Sequence, residues 1–140
     1  MRFEHSIAID APRERVWDVL SDLEAWPQRI ETVDLVEWLT PAPVSEGSRV
    51  RLKQPKLPEG IWEVTAWEPP SYFEYRQQTG GIVTRAGHRV DDLEHGSSRL
   101  TLTLQMGGLL APVIGRFYKG LTNRYMAIEA QGMKRAAESD

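Results

Sequence analysis

The sequence predicts an α+β fold in which a seven-stranded antiparallel sheet is covered by one long carboxy-terminal helix. Three observations predict it. Phe3, His5, Ile7 and Ile9 alternate with Arg2, Glu4, Ser6, Ala8 and Asp10, the period-2 pattern of a half-buried strand. From about Thr32 to Met106 only short alternating runs occur, separated by proline and glycine. After that the period changes: Leu110, Ile114, Phe117, Leu121, Tyr125 and Ile128 recur at steps of three and four, the stripe of an amphipathic helix.

Each element has a local reason. Asp10-Ala11-Pro12 starts a helix after the first strand, because Pro12 fits the first turn and Glu14 favours the positive end of the helix dipole. Val16, Trp17 and Leu20 form its inward stripe. Ser21-Asp22 caps a second short helix through Leu23, Glu24, Ala25 and Trp26, limited by Pro27. Six strands follow: Val33 to Leu39, Ser48 to Lys53, Gly60 to Trp67, Ser71 to Gln78, Ile82 to Val90 and Ser98 to Gln105. Their separators carry Pro41-Ala42-Pro43 with Glu46-Gly47, Pro55 to Pro58, Pro69-Pro70, Gly80-Gly81 and His95-Gly96, which is turn chemistry, so successive hairpins are the simplest topology. The last helix starts between Leu109 and Pro112 and runs to about Ala137, with Gly115, Gly120 and Gly132 as interruptions. Its apolar side needs cover, and the inner face of the sheet is the surface available.

Composition narrows the function classes. The 140 residues, read as one domain spanning 1–140, carry 17 Lys and Arg against 20 Asp and Glu, a net charge of −3. A general nucleic-acid binder usually shows a basic excess. With no cysteine there is no disulfide, thiolate metal site or cysteine nucleophile. The amino terminus does not read as a signal peptide. The most apolar stretch, Met106 to Gly115, is far short of the roughly 20 residues that span a bilayer. A cytoplasmic protein, monomeric or homodimeric, is the expectation.

Strand, two short helices, six strands and a long terminal helix form an order whose residues carry a resemblance: Ile9-Asp10-Ala11-Pro12 with Val16-Trp17 and Leu20, Asp22 with Trp26-Pro27, Glu46-Gly47-Ser48, Trp62-Glu63-Val64 with Trp67-Glu68-Pro69, and His88 ahead of Ser98-Arg99-Leu100-Thr101. The chain resembles the START-like (SRPBCC) superfamily, specifically the polyketide cyclase/dehydrase and lipid-transport family, from about Phe3 to Glu138. That resemblance implies a helix-grip fold, a curved sheet wrapped around the long helix with an apolar cavity between them. It also implies that the Pro55 to Gly60 hairpin and the Gly80-Gly81 turn frame the cavity mouth. Members include lipid carriers, hormone receptors and aromatase/cyclases, so function must be argued from the site.

By strand parity the inward set includes Phe3, His5, Leu35, Val50, Leu52, Trp62, Val64, Phe73, Tyr75, Gln77, Thr84, Ala86, His88, Leu100, Leu102 and Leu104. Most of these fill a core in any small protein. The polar minority, His5, Gln77, Thr84 and His88, is costly there without partners. His88 is the acid/base candidate, because neutral imidazole can both donate and accept near pH 7; the alternative is a structural histidine. Stepping 100° per residue puts Arg124 inside the apolar stripe, where it binds the anionic end of a guest or pairs at the rim with Glu63 or Glu74. Trp26, Trp38, Trp62 and Trp67 are candidate walls or gates, whereas Trp17 belongs to the core.

The expected ligand-binding set is therefore Trp26, Trp38, Leu52, Trp62, Phe73, Tyr75, Thr84, His88, Phe117, Leu121, Arg124 and Tyr125. No metal site and no cofactor is expected. Asp91-Asp92-x-Glu94-His95 reads as a solvated turn, and the phosphate-loop, dinucleotide, nucleophile-elbow and zinc motifs are absent. Binding or transport of a small apolar or aromatic, lipid-like molecule is the first reading. A cyclase/dehydratase using His88 as acid/base, with Tyr75 or Arg124 polarising a carbonyl or enolate, is the second. A protein-interaction module is the third.

Overall fold

The computed structural model describes residues 1–139. Seven strands form one antiparallel sheet in the order β1-β7-β6-β5-β4-β3-β2. They span Arg2–Ile9 (β1), Leu35–Trp38 (β2), Arg49–Lys53 (β3), Gly60–Glu68 (β4), Tyr72–Thr79 (β5), Ile82–Asp92 (β6) and Ser98–Gly107 (β7). Consecutive strands from β2 to β7 pair as hairpin neighbours, as the turn residues predict, and β1 closes the order by pairing with β7. A register shift between Val64 and Ala66 interrupts the β4–β5 ladder. Such bulges bend a strand and increase its twist.

The helices α1 (Arg13–Ser21), α2 (Trp26–Arg29), α3 (Ala111–Phe117) and α4 (Lys119–Glu138) complete the fold, with one turn of 3-10 helix at Leu23–Ala25. Pro12 sits just ahead of α1, and its carbonyl accepts from the N–H groups of Arg15 and Val16. Trp17 packs edge-on against Trp67 and Phe73, with ring centroids 5.3 and 6.0 Å away. The far end of α4 is tied down by Arg15, which donates to the carbonyls of Ala136 and Ala137, a cation placed at the negative end of the helix dipole. Trp26, Phe73, Ile9, Leu20, Leu23, Ile30, Leu100 and Met133 are fully buried between sheet and helices. No helix among the described residues is long and apolar enough to cross a membrane.

Two expectations are corrected. In β2 the register Val36↔Leu52 and Trp38↔Val50 turns Val36 and Trp38 toward the core, so Leu35, expected inside, is 45% exposed. The strand begins only after Asp34, whose N–H donates to the Lys53 carbonyl, and a one-residue change of parity exchanges the two faces. The terminal helix is also two helices, broken at Tyr118. In α3 the small residues Ala111 and Gly115 face the protein, with the Met1 side chain against Gly115. The bulky Phe117 is consequently turned to solvent, 79% exposed.

Glycine spacing decides how closely α4 approaches α2. A Cβ added at Gly132 would collide with the Arg29 carbonyl, whereas one at Gly120 would meet nothing within 4 Å. In a helix interior alanine is favoured over glycine by about 1 kcal/mol. Gly120→Ala is therefore expected to raise the melting temperature by roughly 3 °C. Gly132→Ala is expected to lower it, despite the same gain in helix propensity. Thermal unfolding of both variants checks the pair of opposite signs.

Candidate functional site

Between the sheet and α4 lies a cavity of about 110 Å³, adjoined toward the β3–β4 and β5–β6 turns by a second space of about 300 Å³. The two share Leu52, Gln54, Leu57, Trp62, Leu104 and Thr122 as walls. The outer space is bounded by Pro58, Gly60, Gln77, Thr84 and Ile82 on the sheet side and by Ile114 and Tyr118 on the helical side. The inner space ends on Trp26, Tyr75, His88 and Glu129.

The inner end is built by strand register. Phe73 on β5 lies opposite His88 on β6, and His88 lies opposite Leu102 on β7. The Phe73 and His88 rings stack with centroids 4.1 Å apart and an interplanar angle of 9°. Tyr75 meets the imidazole edge-on at 5.2 Å, and Trp26 of α2 covers it at 5.9 Å. Trp26 is itself held by its indole N–H, which donates to the Leu20 carbonyl. His88 thus has an aromatic cage on three sides and is 2% exposed. From α4, Thr122, Tyr125, Met126 and Glu129 reach the cavity, positions spaced by three and four that share one helix face. The Tyr125 hydroxyl donates to the Pro55 carbonyl, fastening the helix to the β3–β4 loop at the mouth.

Glu129 places Oε2 3.6 Å from His88 Nε2. This is longer than a hydrogen bond, and His88 Nδ1 is buried without a hydrogen-bond partner. Removal from water disfavours the charged form of each group. Burial pushes the imidazole from its ordinary 6.5 down to about 3, and the Phe73 backbone offsets only part of this. Burial raises the Glu129 carboxyl from 4.5 to about 7. The Tyr75 hydroxyl is held well above 10, first by burial and then by the Glu129 charge. The Glu129 side chain retains 16% accessibility, on a group that borders the cavity. Near pH 7 the site therefore holds a neutral imidazole, a neutral phenol and a carboxyl divided between acid and carboxylate.

Of the sequence-predicted set, Trp26, Leu52, Trp62, Tyr75, Thr84, His88 and Tyr125 line the two spaces. Phe73 lies behind His88 as its stacking partner. Trp38 packs against the core, and Trp67 meets Trp17 edge-on and Phe73 at a tilt, outside the cavity lining. Leu121 is half-buried outside the lining. Phe117 and Arg124 are both exposed, so the inward placement of Arg124 is corrected. Among the described residues Arg124 pairs with neither Glu63 nor Glu74; Glu74 instead faces Arg85 at 4.0 Å. No cluster of three or more metal-ligating side chains occurs among the described residues. The expected set omits Glu129, although it stands four residues after Tyr125 and four before the buried Met133, an acid in a row that the helix turns inward.

The two opposite shifts give stability a defined pH dependence. For His88, protonation in the unfolded chain draws stability away as pH falls from 6.5 toward 3. For Glu129, ionisation in the unfolded chain does so as pH rises from 4.5 toward 7. Between 4.5 and 6.5 the two slopes oppose each other. Glu129→Gln is expected to remove the second slope, so its stability relative to the parent should rise between pH 4 and pH 8 by on the order of 3 kcal/mol. Urea unfolding at a series of pH values measures this; a difference independent of pH would contradict it.

The comparisons with known proteins agree with this architecture. The profile of the family described as polyketide cyclase / dehydrase and lipid transport matches residues 1–138. A Streptomyces halstedii protein assigned as a polyketide cyclase is 31% identical over 88 residues, covering 63% of this chain and 72% of that protein. The Zhui aromatase/cyclase from Streptomyces sp. R1128 superposes with a TM-score of 0.80 at 20% identity, covering 99% of this chain and 93% of that one. A START superfamily protein from Mycobacterium smegmatis does so with a TM-score of 0.72 at 17% identity, covering 96% and 97%. Norcoclaurine synthase of Thalictrum flavum gives 0.77 at 13% identity, covering 98% and 93%. The structural likenesses carry the helix-grip fold, and the match along the sequence carries membership: the chain belongs to the polyketide cyclase/dehydrase and lipid transport family.

Proposed function

We propose that the protein binds a small apolar or aromatic, lipid-like molecule carrying one polar group, in the cavity between the sheet and α4. The observation that carries this reading is a largely apolar space whose only histidine and only carboxyl stand together at one end. Its walls are Leu52, Leu57, Trp62, Leu104 and Met126, and its innermost end holds His88 and Glu129. Apolar walls supply the driving force and a few polar groups fix orientation. The guest's hydroxyl or carbonyl meets Glu129 and His88, and its apolar body extends toward Ile114 and Tyr118. Protonated Glu129 donates to a carbonyl, and its carboxylate or the neutral imidazole accepts from a hydroxyl.

Native mass spectrometry of protein purified from its own cell is expected to retain such a molecule as a discrete mass increment. Leu104→Trp, which fills the junction of the two spaces, is expected to abolish retention while leaving the protein folded. An empty parent protein that also takes up no aromatic or fatty guest on titration would contradict the reading.

A second reading, an enzyme of the cyclase/dehydratase kind, is favoured by Glu129. His88 alone is a weak base at neutral pH, because its pKa lies near 3. Glu129 holds a proton close to pH 7, so its acid form can protonate a departing hydroxyl and its carboxylate can take a proton from carbon. In this reading His88 positions the guest. With a polyketide analogue as substrate, Glu129→Gln is expected to lower turnover by roughly 100-fold or more while the guest is still retained. Equal turnover in Glu129→Gln and the parent would remove the enzyme reading and leave the binding reading in place.

A further inference from the structure

We propose that α3 docks the protein onto an anionic lipid bilayer, with the outer end of the cavity turned toward the lipid. Four large apolar side chains at and before this helix stand in solvent: Leu109 is 98% exposed, Phe117 79%, Val113 66% and Leu110 53%. Val113, Phe117 and Leu110 fall on one side of α3 because Ala111 and Gly115 occupy the other. Leu109 lies on the glycine-led approach to the helix, where Gly108 packs against the Gly81 backbone of the β5–β6 turn. A contiguous exposed apolar ledge of this kind marks an interaction surface.

Charge selects the partner. The chain as a whole carries −3, yet neither Asp nor Glu occurs from Met106 to Ile128, a stretch that contains Arg116, Lys119 and Arg124. Arg116, Lys119 and Arg124 are exposed on or just after α3. Apolar side chains flanked by cations, in an otherwise acidic protein, suit an anionic bilayer surface: the apolar groups enter the headgroup boundary while the basic groups meet the lipid phosphates. An acidic protein surface would engage the cations and leave Leu109 and Phe117 without apolar cover. Ile114 and Tyr118 of the same helical segment border the outer cavity, so a bilayer seated on α3 lies beside the opening. This surface is separate from the residues that line the inner cavity, and loss of docking would leave the guest-binding reading standing.

Co-sedimentation with phosphatidylcholine vesicles, with and without about 30% phosphatidylglycerol, tests the proposal. Binding to the anionic vesicles is expected to be at least tenfold tighter than to neutral ones and to fall as salt is raised. The double variant Leu109→Ser with Phe117→Ser is expected to lose at least tenfold in binding, and Arg116→Glu with Lys119→Glu to lose the preference for anionic lipid. All four positions are solvent-facing, so the variants should melt like the parent and retain guest equally. Absence of binding to either vesicle, or binding unchanged in the double variant, would overturn the proposal. Light scattering that shows a dimer dissociated by Phe117→Ser would overturn it too, since a second copy would then cover the ledge.

Discussion

The arrangement rests on the burial of two titratable groups that face each other across the grip, His88 from the sheet and Glu129 from α4. Neither is neutralised by an opposite charge, and their separation of 3.6 Å leaves them without a mutual hydrogen bond. Each responds to removal from water by favouring its neutral form, which drives the imidazole down and the carboxyl up. A polar pair left in this state costs stability. The fold tolerates it only because the surrounding aromatic cage and the close packing of α4 are strongly favourable.

Those surroundings explain why the pair sits at the innermost point. The register Phe73↔His88 stacks one ring on another within the sheet, and Trp26 closes the third side from α2. The same α2 ends at Arg29, whose carbonyl touches α4 at Gly132, three residues beyond Glu129. The contact that lets α4 approach closely therefore also sets the depth of the carboxyl. Toward the other end Tyr125 is bonded to Pro55, and the helix breaks at Tyr118 where the cavity opens. One helix thus carries a tightly packed terminus, a polar anchor point and an opening, in that order.

Much of this was legible in the sequence. Alternation and turn residues located all seven strands to within a few residues, because a sheet with one covered face writes its period directly into side-chain polarity. Parity puts His88, Tyr75 and Trp62 on the inner face of the sheet, and these three line the cavity together with Trp26. The helical part read less well for a specific reason. Bulk marks the inward face of a helix only where there is room for bulk, and α3 and α4 approach the protein on Ala111, Gly115, Ala130, Gly132 and Ala137. The stripe Leu110, Ile114, Phe117, Leu121, Tyr125 and Ile128 follows the large residues: Ile114 and Tyr125 reach the cavity and Ile128 packs on the core, but Leu110 and Phe117 stand in solvent. The same stripe takes in Arg124, which is exposed, and passes over Glu129, which reaches the cavity. Leu35 has a different cause: β2 is short, and its parity depends on where pairing with β3 begins.

The central claim is that Glu129 is a largely buried carboxyl facing a neutral His88 at the inner end of an apolar cavity. Carbon-detected NMR titration of protein labelled at the glutamate side-chain carboxyls, with the Glu129 signal assigned by Glu129→Gln, measures this most directly. The account predicts one carboxyl titrating near pH 7, displaced when an aromatic or fatty guest occupies the cavity. A Glu129 carboxyl that titrates near 4.5, as a solvated one does, and ignores the guest would contradict it.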